Sequence, residues 1–252
     1  MKKNIKQPIE FSIIIPVFNE EGNITPLIFE LEQLMREQNS CEVIVVDDHS
    51  SDRTLNILQN HQTSYPWLRV IQLNRQSGQS TALRYGIQKA KAPLIVTLDG
   101  DGQNDPADIK QLVDTYRKLS RQYPCCLVNG HRIRRRDSPW RRVSSFVANS
   151  IRSRLLRDNT PDSGCGIKAF PREIYLDLPS FDHMHRFIPA LFRQRGGKII
   201  SVEVHHRPRI VGKSHYGTLD RLFAGIIDIF GVLWLGKRAI QPGLVEEEDD
   251  DE

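Results

Sequence analysis

Ala92-Pro-Leu-Ile-Val-Thr-Leu-Asp-Gly-Asp-Gly-Gln-Asn-Asp-Pro106 is the stretch that decides the fold. Leu94 to Leu98 is a short run of apolar and β-branched residues behind a proline, which predicts a buried strand. The run stops at two acids, Asp99 and Asp101, with one glycine between them. Gly100 and Gly102 permit a tight turn, so both carboxylates can point at one small volume. Two carboxylates that close repel unless a cation sits between them. Hard oxygen ligands suit Mg2+ or Mn2+, which bind through one or two carboxylates plus substrate phosphates. Gln103 can add a neutral oxygen. The same residues also read as an acidic turn capping a helix that starts near Pro106, and the pair alone does not separate the two readings.

Working outward, strand-like runs alternate with helical ones. Phe11 to Val17 is β-rich and is followed by Asn19, Glu20 and Glu21, then by a helical pattern to about residue 38 with Leu27, Leu31 and Leu34 on one face. Val43 to Val46 ends at Asp47 and Asp48; Ser50, Ser51 and Asp52 then supply N-cap types for the next helix. Leu68 to Leu73 leads through Asn74-Arg75-Gln76-Ser77-Gly78 into a helix reaching about Ala90. This alternation predicts βαβ units in an α/β fold with a mostly parallel sheet. In such sheets ligands bind beyond the carboxyl ends of the strands. Asn19-Glu20, Asp47-Asp48 and Asp99-x-Asp101 all fall at such ends, which favours a nucleotide and metal site over mere turns. No GxGxxG follows the first strand and no GxxxxGK[ST] occurs in the chain, which argues against a dinucleotide oxidoreductase and a P-loop NTPase.

A chain of 252 residues can bury a sizeable core. Its net charge of +4 hides an asymmetry, because Glu246 to Glu252 are all acidic. Without those seven the balance is 35 − 24 = +11. A basic body favours anionic partners such as nucleotides or phospholipid surfaces. Cys41, Cys125, Cys126 and Cys165 show no metal-ligand spacing and read as reduced thiols of a cytosolic protein. No long apolar run precedes the first strand, so no signal peptide is expected.

Pro16-Val-Phe-Asn-Glu20, Val46-Asp-Asp-His-Ser-Ser-Asp52-Arg-Thr54 and Asp99-Gly-Asp-Gly-Gln-Asn-Asp-Pro106 resemble, in order and spacing, the motifs of inverting family 2 glycosyltransferases with the GT-A fold. Asn129-Gly-His-Arg132, Asp162-Ser-Gly-Cys-Gly-Ile-Lys-Ala-Phe170 and Arg207-Pro-Arg-Ile-Val-Gly-Lys-Ser-His-Tyr-Gly217 resemble the branch of dolichol-phosphate mannose synthases and bacterial polyprenyl-phosphate glycosyltransferases. The resemblance spans roughly residues 10–240. It implies that Pro16, Phe18 and Glu20 line the base and ribose pocket, and that Asp47 or, preferentially, Asp48 accepts a hydrogen bond from the base. It implies that Asp99, Asp101 and Gln103 hold Mg2+ or Mn2+ on the donor diphosphate. Arg132, with Arg141 or Arg142, is placed at the acceptor phosphate, for which guanidinium is well suited. Asp162 is placed near sugar and acceptor; a loop acid before Gly164 also reads as a turn former. An Arg-x-x-Gly-x-Ser-Lys pattern closes over the phosphates in the family. Here Arg209 and Gly212 keep it, but His215 stands at the lysine position while Lys213 lies two residues earlier. Either could do that work.

Two segments point to a membrane surface. Residues 131–157 hold nine arginines, in a loop through Arg136 and then beside an apolar stripe of Val143, Phe146, Val147, Ile151 and Leu155, with Trp140 at its start. An ordinary surface helix packed on the sheet reads equally well, and no nucleic-acid recognition motif accompanies the arginines. His183 and His185, two apart, do not share a helix face and predict no metal pair. Leu219, Leu222, Phe223, Ile226, Ile227, Phe230, Leu233 and Trp234 follow helical spacing, but the run is too short to span a bilayer. An interfacial helix, or one docking on a separate membrane-protein partner, is favoured over a core helix.

The expected organisation is an N-terminal arm over 1–9, a GT-A catalytic domain over 10–215, an amphipathic membrane-proximal segment over 216–240 and a disordered acidic tail over 241–252. The expected activity is metal-dependent, inverting transfer of a sugar from a GDP- or UDP-sugar to a polyprenyl phosphate by a peripheral enzyme at the cytoplasmic face of the membrane. A glycosyltransferase acting on a hydroxyl, with Asp162 as base, is the alternative; a non-catalytic membrane-associated binding protein is a third reading.

Overall fold

The computed structural model describes residues 8–38, 40–132, 152–158, 160–208 and 218–238, with side chains of the last helix from residue 225. Arg141, Arg142, Arg209, Lys213 and His215, the arginine-rich stripe before 152, and the acidic tail lie outside the described residues.

Four apolar runs form the strands expected of them: β1 Phe11–Val17, β2 Cys41–Asp47, β3 Leu68–Gln72 and β4 Leu94–Thr97. β1, β2 and β4 are buried along their whole length, because helices cover both faces. Those helices are α1 Ile24–Glu37, α2 Thr54–Ser64, α3 Gln79–Lys89 and α4 Asp108–Ser120. β5 Cys126–Arg132, β6 Lys168–Pro171, α5 Arg172–Leu176, a 3-10 turn Met184–Arg186, α6 Ile188–Gln194, β7 Lys198–Val204 and α7 Thr218–Arg238 complete the order.

The sheet order is β3-β2-β1-β4-β6-β5-β7. β1 pairs in parallel with both β2 and β4, so chain order reverses between β1 and β4, the crevice where α/β sheets bind ligands. β6 is antiparallel to both of its neighbours, β4 and β5. One apolar cluster packs Leu27, Leu31 and Leu112 on one face of the sheet; the other packs Leu83, Tyr175 and Phe192 on the opposite face.

Two expectations need correction. Arg132 is not in a loop but is the last residue of β5. Its Asn129-Gly-His-Arg132 half is too polar to read as a strand; pairing with β7 through Arg132↔Val204 holds it extended. Val202 to His206 reads as a strand pattern in the sequence, but the strand runs over Lys198–Val204, because its register is set against β5 from Cys126↔Lys198 onward.

α3 approaches the sheet closely at one residue. A Cβ at Gly86 would stand 2.5 Å from Ile14 Cγ2 and 2.9 Å from Val46 Cγ2. Gly86→Val should therefore lower the denaturant midpoint, at a cost of about 1–3 kcal/mol for overpacking. Equal midpoints for variant and parent would show that helix and sheet are not that tightly apposed.

Candidate active site

The loops after β1 and β2 are laced together. Asn19, in the left-handed region at φ 54°, accepts the Ser51 N–H at 2.8 Å. The Glu20 N–H donates to Thr54 Oγ1 at 2.9 Å and the Glu21 N–H to Asp52 Oδ2 at 3.2 Å. Phe18 and Glu20 are half-buried on this rim. Pro16 is buried inside β1.

Asp47 and Asp48 are both buried. Asp47 accepts the Ser50 N–H. Asp48 accepts the Ser77 and Gly78 N–H groups at 2.7 and 2.8 Å, fastening the loop ahead of α3. Burial pushes the Asp48 carboxyl up, and these two hydrogen bonds oppose the shift. Of the pair, Asp48 therefore reaches across to the next loop, and Asp47 caps its own.

Asp99 and Asp101 follow β4 at the switch point. Asp99 Oδ1 accepts from Gln79 Nε2 at 2.9 Å. Its carboxylate rests on the backbone of Gly166, where a Cβ would lie 2.0 Å from Asp99 Oδ2. Thr97 Oγ1 donates to Gly166 O at 2.6 Å, and the buried Lys168 ammonium donates to Cys165 O. Burial and then the Asp101 carboxylate push Asp99 up to about 6, with Lys168, Arg132 and Gln79 opposing. The Gln103 N–H donates to Asp101 Oδ1 at 3.1 Å, so the three expected oxygen donors share one turn. Among the described residues no group of three or more His, Cys, Asp or Glu is arranged to hold a metal ion. Two mutually repelling carboxylates and an amide are nonetheless a donor set that fits Mg2+ or Mn2+, which leave their other positions to water and phosphate.

Arg132 and Asp162 are brought together from 30 residues apart. Arg132 Nε and Nη2 donate to Asp162 Oδ2 and Oδ1, both at 2.7 Å. Burial works against the Arg132 charge, but Asp162 more than compensates and raises its pKa. This pairing weighs against the alternative reading in which Asp162 is a base, because a carboxylate with both oxygens on one guanidinium makes a poor proton acceptor.

Sequence reading missed Gln79, Gly166 and Lys168, whose nearness to Asp99 is set by packing between separate elements. It also missed the contact of His205-His206-Arg207 with the Gln103 turn, formed by an Asn104↔His206 bridge. The cysteines are free, as expected; burial pushes the Cys165 thiol up to about 11.

On α7, Ile226, Ile227, Phe230 and Trp234 are exposed, while Val232 is buried and Ile229 and Leu233 pack against the core. Gln194 Nε2 donates to Val232 O at 2.9 Å, and His183 Nδ1 lies 3.3 Å from Asp228 Oδ2. No helix among the described residues is long and apolar enough to cross a membrane.

Comparison with known proteins bears on the family and the fold. The family described as "Glycosyl transferase family 2" matches residues 12–178. The chain is 35% identical over 242 residues to the dodecaprenyl-phosphate galacturonate synthase of Rhizobium johnstonii, covering 94% of this chain and 70% of the relative. It is 33% identical over 219 residues to the undecaprenyl-phosphate 4-deoxy-4-formamido-L-arabinose transferase of Photorhabdus laumondii, covering 84% of this chain but 65% of that relative. Among solved structures, mannosyl-3-phosphoglycerate synthase from Rubrobacter xylanophilus superposes with a TM-score of 0.67 at 16% identity, covering 94% of this chain and 79% of that one. Glucosyl-3-phosphoglycerate synthase from Mycobacterium tuberculosis, solved with Mn2+, UDP and glucosyl-3-phosphoglycerate, gives 0.64 at 18%, covering 90% and 79%. The superpositions show that the chain shares the overall α/β fold of these structures.

The raised Asp99 carboxyl has a testable consequence. Between its ordinary value of 3.8 and about 6, the folded protein binds a proton that the unfolded chain has released. Stability without metal therefore falls as pH rises through that window. Asp99→Asn removes this cost, so at pH 7 in chelator it should melt above the parent. The same change should abolish Mn2+-dependent stabilisation by UDP or GDP. A variant melting below the parent under those conditions contradicts the assignment.

Proposed function

The chain belongs to glycosyl transferase family 2, and from that premise we propose that it transfers a sugar from a GDP- or UDP-sugar to a polyprenyl phosphate, with inversion. The relatives named above carry polyprenyl-phosphate acceptors in their names. The observation that carries the reading is the Arg132–Asp162 pair. A hydroxyl acceptor needs a general base, and the candidate named for that role, Asp162, is committed to a guanidinium. A lipid monophosphate arrives already anionic, since the second pKa of a phosphate is about 6. It needs positioning and charge compensation more than proton removal.

Asp99, Asp101 and Gln103 would hold a divalent ion on the donor diphosphate. Such an ion offsets the charge that develops on the departing nucleoside diphosphate. Mn2+- and Mg2+-bound neighbours of the same fold support this reading. Phe18 and Glu20 line the nucleoside side, with Asp48 and Asp47 behind them. Arg132, fixed by Asp162, presents its remaining edge to the acceptor phosphate; Asp162 is a positioning residue. Arg141 or Arg142, and Arg209 with Lys213 or His215, complete the phosphate contacts.

We place the enzyme peripherally at the cytoplasmic membrane face. Ile226, Ile227, Phe230 and Trp234 form an exposed apolar stripe, and Lys237 and Arg238 close the helix with charge suited to anionic headgroups. Each large apolar side chain withdrawn from water contributes roughly 1.5–3 kcal/mol.

A panel of UDP- and GDP-sugars offered to undecaprenyl phosphate and to undecaprenol tests the acceptor. Product is expected from the phosphate alone, and Asp101→Ala should lower its rate about 10²–10³-fold. Arg132→Ala should raise the KM for lipid phosphate far more than that for donor. Equal turnover of the free alcohol would overturn the reading. Separately, Phe230→Ser with Trp234→Ser should reduce cosedimentation with anionic vesicles and leave nucleotide binding in solution intact.

A further inference from the structure

The segment His205-His206-Arg207 lies antiparallel to the turn that carries the expected metal ligands. Asn104 and His206 form an antiparallel bridge. The Arg207 N–H donates to Gln103 O at 2.8 Å, and Gln103 Nε2 donates back to Arg207 O at 3.4 Å. His205 fixes the next turn, its N–H donating to Asp108 Oδ2 at 2.7 Å and its Nδ1 lying 2.9 Å from Asp108 Oδ1. The Arg207 guanidinium then spans two elements. It reaches Asp105 Oδ2 at 2.5 Å on the turn and Glu30 Oε1 at 2.7 Å on α1.

The exchange between Gln103 and Arg207 has a chemical direction. A backbone carbonyl can only accept, so the carboxamide must present its nitrogen to Arg207 O. The carbonyl oxygen of the Gln103 side chain is thereby kept off the strap. The turn is short: the Gln103 N–H already bonds Asp101 Oδ1. An amide locked this way is an oxygen donor; an amide free to flip offers nitrogen half the time.

We propose that Arg207 is a positioning residue for the divalent cation: by clamping Asp105 to Glu30 it holds the 103–105 turn so that Gln103 serves as an oxygen ligand beside Asp99 and Asp101. This rests on the metal-dependent reading above. Isolated surface ion pairs contribute little to stability. One guanidinium shared by carboxylates on two elements instead fixes a geometry. Its effect belongs in metal affinity more than in the melting temperature.

Mn2+ binding in the presence of UDP, and separately GDP, read from the electron paramagnetic resonance of free Mn2+, tests this. Arg207→Met should weaken Mn2+ binding about tenfold, the usual size of an outer-shell effect, and Gln103→Leu, which removes the ligand that Arg207 positions, should weaken it by about the same factor. The double variant should be no weaker than either single one, because both act on the same ligand. Arg207→Lys, which cannot span both carboxylates, should fall between Met and the parent. Should Arg207→Met fail to fold, Glu30→Gln with Asp105→Asn unhooks the guanidinium and should give the same loss. Unchanged Mn2+ affinity in Arg207→Met, or losses that multiply in the double variant, overturns the proposal. Asp101→Ala separates this from the wider reading. If it abolishes Mn2+ binding while Arg207→Met does nothing, only the role of Arg207 falls; if it too has no effect, both fall.

Discussion

The Asp99 carboxylate occupies space that any side chain at residue 166 would need. This close approach constrains the whole centre of the molecule. β6 must run beside β4, antiparallel to it, so that the turn 162–167 is delivered to the carboxyl end of β4. The carbonyls of Cys165 and Gly166 would repel a neighbouring carboxylate. Lys168 and Thr97 engage both of them. The order of the sheet, the inversion of one strand and the buried lysine thus serve one purpose, which is to seat an acid where burial and a second acid both work against its charge. A site organised against its own charge is one that the proposed cation would complete.

The first half of the fold was legible because its physics is local. Apolar runs of four to seven residues between amphipathic helices make parallel strands almost unavoidable, and the polar residues ending β1, β2 and β4 fall where such sheets bind ligands. β5 was not legible. Asn129 to Arg132 are strand because β7 pairs with them along the full register and β6 pairs at Asn129. The site divides in the same way. Asp99, Asp101 and Gln103 share one turn and were readable together. Arg132 and Asp162, Asp99 and Gly166, and Asp48 with the Ser77 loop are partnerships across 29 to 67 residues. Spacing encodes the period of an element, not the identity of the group it will meet. Partners such as the guanidinium on Asp162, and the enclosure of Pro16 within β1, are therefore visible only in the folded chain.

α7 inverts the usual arrangement of an amphipathic helix. Its one described acidic side chain, Asp228, turns inward toward His183, whereas Ile226, Ile227, Phe230 and Trp234 face out. A helix apolar on nearly every side needs cover on each of them. α6 and its neighbours cover one side through Ile229, Val232 and Leu233. The other side is where a lipid surface would supply the rest. The inward contact then matters for chemistry. Asp228 meets His183; His185, two residues on, bonds Ser80 at the start of α3; and Gln79, next to Ser80, holds Asp99. Packed contacts join the exposed apolar helix to Asp99, the acid proposed to hold the donor's cation. An acceptor phosphate fixed at the depth of its headgroup layer would therefore meet a donor site held at a set height above it. Effective concentration, not a proton acceptor, is what such an arrangement contributes to the reaction.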